Sequence, residues 1–376
     1  MDTRRLVPDE HMFRTEAYDY HLPRHLIAQE ALPERDASRL LVLSRDTGRV
    51  EHSRFHCLPR YLGKGDVLVV NNSKVIPARL FGRKQTGGRV ELLLVAPCCA
   101  GHGRGLAAGQ GGGLDEKEWL CLVRSSGSLR PGMVIALEGG IDARLGDKDG
   151  EGTWRVRFEC QGSLLDHIEK IGHPPLPPYI KRPRPEVGAQ RQGDDASRYQ
   201  TMFACLPGSI AAPTAGLHFT PRLCQRLEES GVRIVEVTLH VGLATFRPIR
   251  AGDVRLHTLP PERYSISGEA CREIEHALAQ DRRVIAVGTT VVRCLESVMS
   301  LYGRFEPHTG WATLYVVPGY SFRAVRGMIT NFHLPRTSLL VLVSAFAGRD
   351  TVLRAYNEAV ENGYRFYSYG DAMLIR

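Results

Sequence analysis

The chain has 376 residues, 43% of them hydrophobic, and a formal charge of +8. That length suits about two or three domains, and the apolar content excludes a disordered chain. Nine cysteines without a Cys-x-x-Cys pair argue against a disulfide frame or zinc ribbon, while the positive balance favours a polyanionic partner, nucleic acid first.

Residues 1–63 open with Tyr18-Asp19-Tyr20-His21-Leu22-Pro23, a short helix expected over 24–29 and a strand over 39–44 that runs into the turn Arg45-Asp46-Thr47-Gly48. From 64 to 159 the texture changes. Short β-type runs at 67–70, 79–82, 90–95, 120–124, 133–137 and 154–158 alternate with Gly and Asn turns, which reads as a small barrel or sandwich. The stretch 98–113 is expected to be a flexible glycine-rich loop between two strands. Helical periodicity returns at 164–170, and Pro174-Pro175-Leu176-Pro177-Pro178-Tyr179-Ile180 is extended. The polar stretch 182–197 is expected to be mobile. Strands at 232–239, 283–287, 311–317, 327–331 and 366–368 then alternate with helices at 222–230, 268–280, 291–301, 338–347 and 351–362. The fold class is α/β (mixed α+β): a discontinuous α/β domain, 1–63 and 160–376, with a small all-β barrel-like domain inserted at 64–159.

Apolar strands end repeatedly in polar turns: Ala211-Ala212-Pro213-Thr214-Ala215-Gly216-Leu217-His218 before a helix start, His240-Val241-Gly242, Gly288-Thr289-Thr290 and Thr330-Asn331-Phe332-His333. Open α/β sheets bind ligands at such strand ends, so the four turns are expected to share one site. The site would hold His218, His240 and His333, which can move protons near neutrality, with Asp371 to steer them. Each alone also reads as a structural hydrogen-bonder. Gly216 would keep His218 on a tight loop outside the core. Thr289 and Thr290 stand where a helix N-terminus offers N–H groups to an anion, or merely cap it. Arg293 and Glu296 are spaced for an i,i+3 pair. Basic residues Lys74, Arg79, Lys181 and Arg182 are candidates for phosphate contacts. The Gly-x-Gly-x-Gly imitation at Gly101-His102-Gly103-Arg104-Gly105 is followed by no helix, and His52 and His56 lack a third metal ligand. The apolar run 339–346 is far short of the ~20 residues of a membrane span, and the N-terminal residues lack the apolar stretch of a signal peptide. The expected location is the cytoplasm.

Several blocks together resemble the S-adenosylmethionine:tRNA ribosyltransferase-isomerases of queuosine biosynthesis. They are Arg35-Asp36-Ala37-Ser38-Arg39-Leu40-Leu41, Asn71-Asn72-Ser73-Lys74-Val75-Ile76-Pro77-Ala78-Arg79, Leu176-Pro177-Pro178-Tyr179, Arg198-Tyr199-Gln200-Thr201, Thr238-Leu239-His240-Val241-Gly242, Gly288-Thr289-Thr290, Thr330-Asn331-Phe332-His333-Leu334-Pro335 and Ser368-Tyr369-Gly370-Asp371-Ala372-Met373. The resemblance is collinear over almost the whole chain. It departs at Ala244, where a glycine is usual, at Pro260 and Pro261, which stand for a His-Ser pair, and at Arg326, where an aspartate is common.

The resemblance implies transfer and isomerisation of the ribosyl part of S-adenosylmethionine onto 7-aminomethyl-7-deazaguanine at a tRNA wobble position. Epoxyqueuosine forms, and adenine and methionine leave. No cofactor beyond that cosubstrate, and no metal, is expected. The base would be His240, then His333, then His218 in order of preference, with Asp371 beside them. Thr214, Gly216, Gly242, Thr289, Thr290 and Asn331 would surround the cosubstrate, and Lys74, Arg79, Lys181 and Arg182 would meet tRNA. The rival readings are an S-adenosylmethionine-dependent tRNA methyltransferase, which needs the missing glycine-rich strand-to-helix turn, and a non-catalytic RNA-binding protein.

Overall fold

The computed structural model of the chain describes residues 9–98, 114–150, 152–183, 195–242 and 248–376. The expected loop beyond Cys98, the Gly101–Gly105 run, most of the stretch 182–197 and Ala244 lie outside the described residues.

The first strands are β1 (Arg39–Leu43), β2 (Val50–Arg54), β3 (Val67–Asn71) and β4 (Ser73–Val75). Next come β5 (Arg79–Lys84), β6 (Arg89–Pro97), β7 (Glu118–Ser125), β8 (Val134–Leu137), β9 (Asp142–Lys148) and β10 (Trp154–Glu159), which close into an antiparallel barrel. Alternation explains the closure: along β10, Trp154, Val156 and Phe158 are buried and the residues between them exposed, the pattern of a strand with one apolar face. Helices α1 (Leu164–Ile171) and α2 (Asp195–Arg198) lead to β11 (Leu206–Ser209), α3 (Pro221–Glu229), β12 (Arg233–Leu239) and β13 (Glu262–Ile266). The remainder is α4 (Gly268–Ala279), β14 (Val284–Val287), α5 (Thr289–Tyr302), β15 (His308–Ala312), β16 (Gly327–Asn331), α6 (Ser338–Ala347), α7 (Arg349–Glu361) and β17 (Ala372–Ile375).

Nine strands form one sheet in the order β15-β13-β12-β3-β14-β16-β17-β1-β2. Its centre, β12-β3-β14-β16, is parallel. Alternate residues of β3 feed opposite cores: Val67 and Val69 join Val291, Leu295 and Leu340 on one face, and Leu68 and Val70 join Phe55, Phe219 and Leu227 on the other. A strand covered on both faces needs an unbroken apolar run, and Val67-Leu68-Val69-Val70 supplies it. This corrects the sequence reading of 64–159 as one β segment. Strand β3 is central to the large sheet, β4 pairs in parallel with β11, and the barrel takes its strands from Arg79 to Glu159.

Other differences have local causes. Residues 24–29 make only a short 3₁₀ turn, Arg24–Leu26. The strand expected over 311–317 is instead His308–Ala312, paired with β13 from Glu262↔Ala312 to Ile266↔His308; beyond that register Pro260 and Pro261 have no N–H to offer a neighbour. No strand forms at 366–368, because Tyr367 has φ +74°; Phe366 only bridges Ile27. Strand β17 follows instead, parallel to β1 and antiparallel to β16. No described helix is long and apolar enough to cross a membrane.

Candidate active site

The parallel centre of the sheet delivers the ends of β14 and β16 to one cavity, with about 550 Å³ of space partly open to solvent. Gly288, Thr289 and Thr290 form one wall, Thr330, Asn331 and His333 another, and Thr214 and Val241 approach from neighbouring loops. Gly288 has φ +96° and precedes α5 without any side-chain cap, so the first N–H groups of that helix stay available to a ligand. Glycine takes that φ without the strain a side chain would add. Thr290 Oγ1 and Asn331 Oδ1 are buried without a hydrogen-bond partner. Buried polar atoms are nearly always paired, so two orphans on one cavity mark a place for polar groups of a ligand.

His333 is the one expected catalytic residue that lines this cavity. Its Nε2 lies 2.8 Å from Thr330 Oγ1, which in turn donates to the carbonyl of Asn331 at 3.2 Å. That arrangement puts the proton on Nε2 and leaves Nδ1 with its lone pair. Burial lowers the His333 pKa to about 3, so the ring is neutral at pH 7 with the Nδ1 lone pair unprotonated, and it holds a proton only where a bound ligand's charge favours the cation.

The other histidines sit differently from the expectation of one shared site. His218 is buried, not on an open loop: it ends the 3₁₀ turn Thr214–His218 and stacks on Phe55 with ring centroids 4.9 Å apart. Its Nδ1 meets Ser38 Oγ at 2.8 Å and its Nε2 meets Asn331 Nδ2 at 3.1 Å. An amide nitrogen can only donate, so Nε2 accepts and Nδ1 carries the proton. His218 therefore borders the cavity through Asn331. Burial, then the charges of Arg365 and Arg35, lower its pKa to about 3. His240 is half-buried outside the cavity lining. Its Nδ1 contacts Ser73 Oγ at 2.8 Å, and its ring lies so close to Gly208 that a Cβ there would come within 2.5 Å. Burial, then Arg263, lower its pKa to about 4.

Asp371 is also outside the lining. Its Oδ1 accepts from the Arg39 N–H at 2.9 Å and its Oδ2 from the Arg365 N–H at 2.8 Å. Oδ1 thus ties the turn before β17 to the start of β1, and Oδ2 closes the turn on itself. Gly216 is buried behind Thr214, against Thr201. The Gly242 N–H donates to Glu262 Oε1 at 2.8 Å, and Glu262 Oε2 pairs with Arg293 of α5, both side chains buried. Arg293 thus pairs with Glu262 and not with Glu296, whose Oε1 accepts from the N–H groups of Ala324 and Val325. Among the basic candidates, Lys74 and Lys181 are exposed. Arg79 binds Glu91 at 2.8 Å, and Arg182 binds Asp195 at 2.6 Å.

Three lining residues escaped the sequence reading. Tyr179 and Tyr367 meet with ring centroids 4.0 Å apart, and Tyr179 Oη is 2.6 Å from Ser368 Oγ. Tyr367 holds its positive φ beside the cavity, a conformation costly for a bulky residue and typical of functional sites. The signal for Tyr179 was its place in the Pro-rich block; Tyr367 carried none.

Comparison with known proteins bears on this geometry. The family described as Queuosine biosynthesis protein matches residues 15–375. The chain belongs to the queuosine biosynthesis family. It is 48% identical over 363 residues to the S-adenosylmethionine:tRNA ribosyltransferase-isomerase of Anaeromyxobacter dehalogenans, covering 96% of this chain and 99% of the relative. The protein of that name from Pelotomaculum thermopropionicum is 46% identical over 360 residues, covering 95% and 98%. The crystal structure of the S-adenosylmethionine tRNA ribosyltransferase from Thermotoga maritima is similar at 35% identity and a TM-score of 0.52, covering 96% of this chain and all of that one. Of this family member's departures, Arg326 lies at the start of β16, opposite the cavity end, and pairs with Asp281.

Proposed function

We propose that this chain is an S-adenosylmethionine:tRNA ribosyltransferase-isomerase and that the cavity at the ends of β14 and β16 is where it works. The carrying observation is the coincidence of Thr290 Oγ1 and Asn331 Oδ1, both orphaned, with the uncapped start of α5. An anionic group such as the methionine carboxylate suits the helix start, and Asn331 Oδ1 suits an adenine amino or ribose hydroxyl group. The faces of Tyr179 and Tyr367 suit a sulfonium cation.

The reaction needs a base for the acidic C–H beside the sulfonium, a proton for departing adenine, and a site dry enough for the carbanion-like intermediate. His333 takes the base role in this reading, ahead of His240, because it alone of the three lines the cavity and keeps Nδ1 for a proton. His218 positions Asn331. The ribosyl unit then bonds to the aminomethyl nitrogen of the deazaguanine in tRNA, and adenine and methionine depart. These steps require no metal, and a tRNA-modifying enzyme of this kind acts in the cytoplasm.

Incubation of the protein with S-adenosylmethionine and tRNA carrying the precursor tests the reading. Adenine and methionine should appear together. S-adenosylhomocysteine would mean a methyltransferase, and no turnover an RNA-binding protein. His333→Ala should reduce turnover by ~10²–10⁴-fold, the usual worth of a general base, with cosubstrate binding retained.

A further inference from the structure

The barrel carries a groove that the candidate active site does not use. About 1580 Å³ of space, partly open to solvent, lies between Arg89, Arg124, Lys148, Phe81 and Trp154. This groove and the cavity at β14 and β16 share no residue. The chain enters the barrel at Arg79 and leaves it at Glu159, so the 84–89 hairpin and the 148–154 turn stand at the far end. That end is roughly 17 Å from the entry along β5, at the usual rise of a strand.

The far end is positive and mostly without counter-charge. Arg83 and Arg89 stand directly opposite each other on β5 and β6, and like charges so placed cost stability. Among the described residues the ion pairs of the barrel are Arg79–Glu91, Arg144–Glu159 and Arg155–Glu118. Arg83, Lys84, Arg89, Arg124 and Lys148 belong to none of them. Arg124 lies opposite Glu91, yet that carboxylate takes Arg79 at 2.8 Å. Lys84 is buried, and its Nζ donates to the Ser128 carbonyl at 3.0 Å. Arg83 donates to the Gly87 carbonyl at 3.2 Å, and Lys148 stands over the Trp154 ring. Carbonyls and rings orient a cation without cancelling its charge. Of the other described acids at this end, Asp149 accepts from the Thr153 N–H at 2.8 Å and from its hydroxyl, and Asp147 is exposed.

Guanidinium forks match phosphate oxygens, and helical RNA is recognised largely through its backbone and shape. The barrel begins next to Lys74 of β4, which is exposed. A long polyanion can meet Lys74 at the base of the barrel together with Arg89 and Arg124 at its far end; a small ligand cannot.

We propose that the groove between Arg89, Arg124 and Lys148 docks the sugar-phosphate backbone of a helical arm of the same tRNA whose wobble nucleotide is modified at β14 and β16. This rests on the function proposed above.

The test titrates full-length tRNA carrying the precursor into the unaltered chain and into the double variant Arg89→Gln with Arg124→Gln. Both side chains are exposed and outside the ion pairs of the barrel, so the melting curve should hold. Affinity should fall by about tenfold or more, the worth of a charge-assisted contact, and the KM for tRNA should rise with it. The slope of log affinity against log salt should fall by about 0.9 for each duplex phosphate released. Arg89→Lys with Arg124→Lys should keep the slope, since lysine retains the charge. Arg144→Gln with Arg155→Gln removes the same charge from the barrel outside the groove and should leave the affinity nearly as it was. Lys148→Gln serves where the double variant melts early.

A folded Arg89 and Arg124 double variant that binds tRNA like the unaltered chain gives the groove to some other anion, an acidic protein surface included, and overturns the RNA dock. An equal loss in the Arg144 and Arg155 control means that net charge alone is at work and overturns it too. Absence of adenine and methionine release by the unaltered protein overturns the functional reading instead, and the tRNA titration still decides the dock.

Discussion

Asn331 donates an amide N–H to Nε2 of His218 across 3.1 Å, and this bond fixes the direction of both side chains. It turns Asn331 Oδ1 to its orphaned position and commits the His218 proton to Ser38. A histidine with both nitrogens engaged is a support for Asn331, not a proton carrier. His218→Gln should therefore lower kcat/KM by about 3–10-fold, the worth of one hydrogen bond, while the pH–rate profile keeps its shape. A profile that loses one limb in this variant would return His218 to acid–base chemistry.

The three histidines also tie stability to pH. Unfolded, each would take a proton near the ordinary histidine value of 6.5; folded, His218 and His333 stay neutral to about 3 and His240 to about 4. Between those values the unfolded chain holds more protons, so acid favours unfolding. Their contribution is complete above the unfolded value and is lost as pH falls toward the folded ones, at up to about 1.4 kcal/mol per pH unit for each histidine. Thermal melts from pH 7 down to 4 should show a falling Tm, flatter in His218→Gln than in the unaltered chain. Equal slopes would mean that His218 is not a buried neutral group.

Much of the architecture was legible because periodicity carries it. The alternation along β10 and the helical period of α4 match their burial. The errors fall where tertiary pairing decides. Nothing local distinguishes Val67–Asn71 from a barrel strand except the unbroken apolar run Val67-Leu68-Val69-Val70, and β17 forms because β1 and β16 leave a gap for Ala372–Ile375 between them. The site was half legible for a related reason. Turns after strands mark the cavity, so Thr289, Thr290, Asn331 and His333 come together on its lining. Which turn opens onto the cavity is set by tertiary packing and not by a motif, so Asp371 and His240 read as equal to His333, which lines the cavity while they do not.

The buried pair Glu262–Arg293 joins the turn after His240 to α5. Burial pushes the Glu262 carboxyl pKa up, and the Arg293 charge opposes that. Removing one partner leaves the other charged in the interior, which costs about 3–5 kcal/mol. Glu262→Ala should therefore melt well below the unaltered chain. Glu262→Met with Arg293→Met should cost less than either single change, read from urea midpoints. Additive losses would show that the two side chains act separately.

The basic candidates should separate by their partners. Lys74→Gln and Lys181→Gln should weaken tRNA binding and each lower the salt slope by about 0.7–0.9. Arg79 is only 21% exposed and is held by Glu91 and the Phe81 ring. Arg79→Gln should reduce the Tm and leave the salt slope alone. A slope reduced in Arg79→Gln as in Lys74→Gln would place Arg79 at the RNA after all.

Thr290→Val isolates the cavity's polar orphan. The hydroxyl has no partner within the protein, so its loss removes no internal hydrogen bond, and valine keeps the shape of the side chain at the start of α5. Folding should be unharmed, since an unsatisfied buried group is itself a cost of about 1–3 kcal/mol. The ligand, in contrast, loses a bond, and affinity for S-adenosylmethionine should fall by about 3–10-fold. With the chemical step untouched, KM should rise while kcat holds. Calorimetric titration of cosubstrate against both proteins, beside their melting curves, gives the comparison. A variant that binds S-adenosylmethionine as tightly as the unaltered chain would mean that Thr290 Oγ1 faces no ligand, and the placement of the cosubstrate at the α5 start would fall with it.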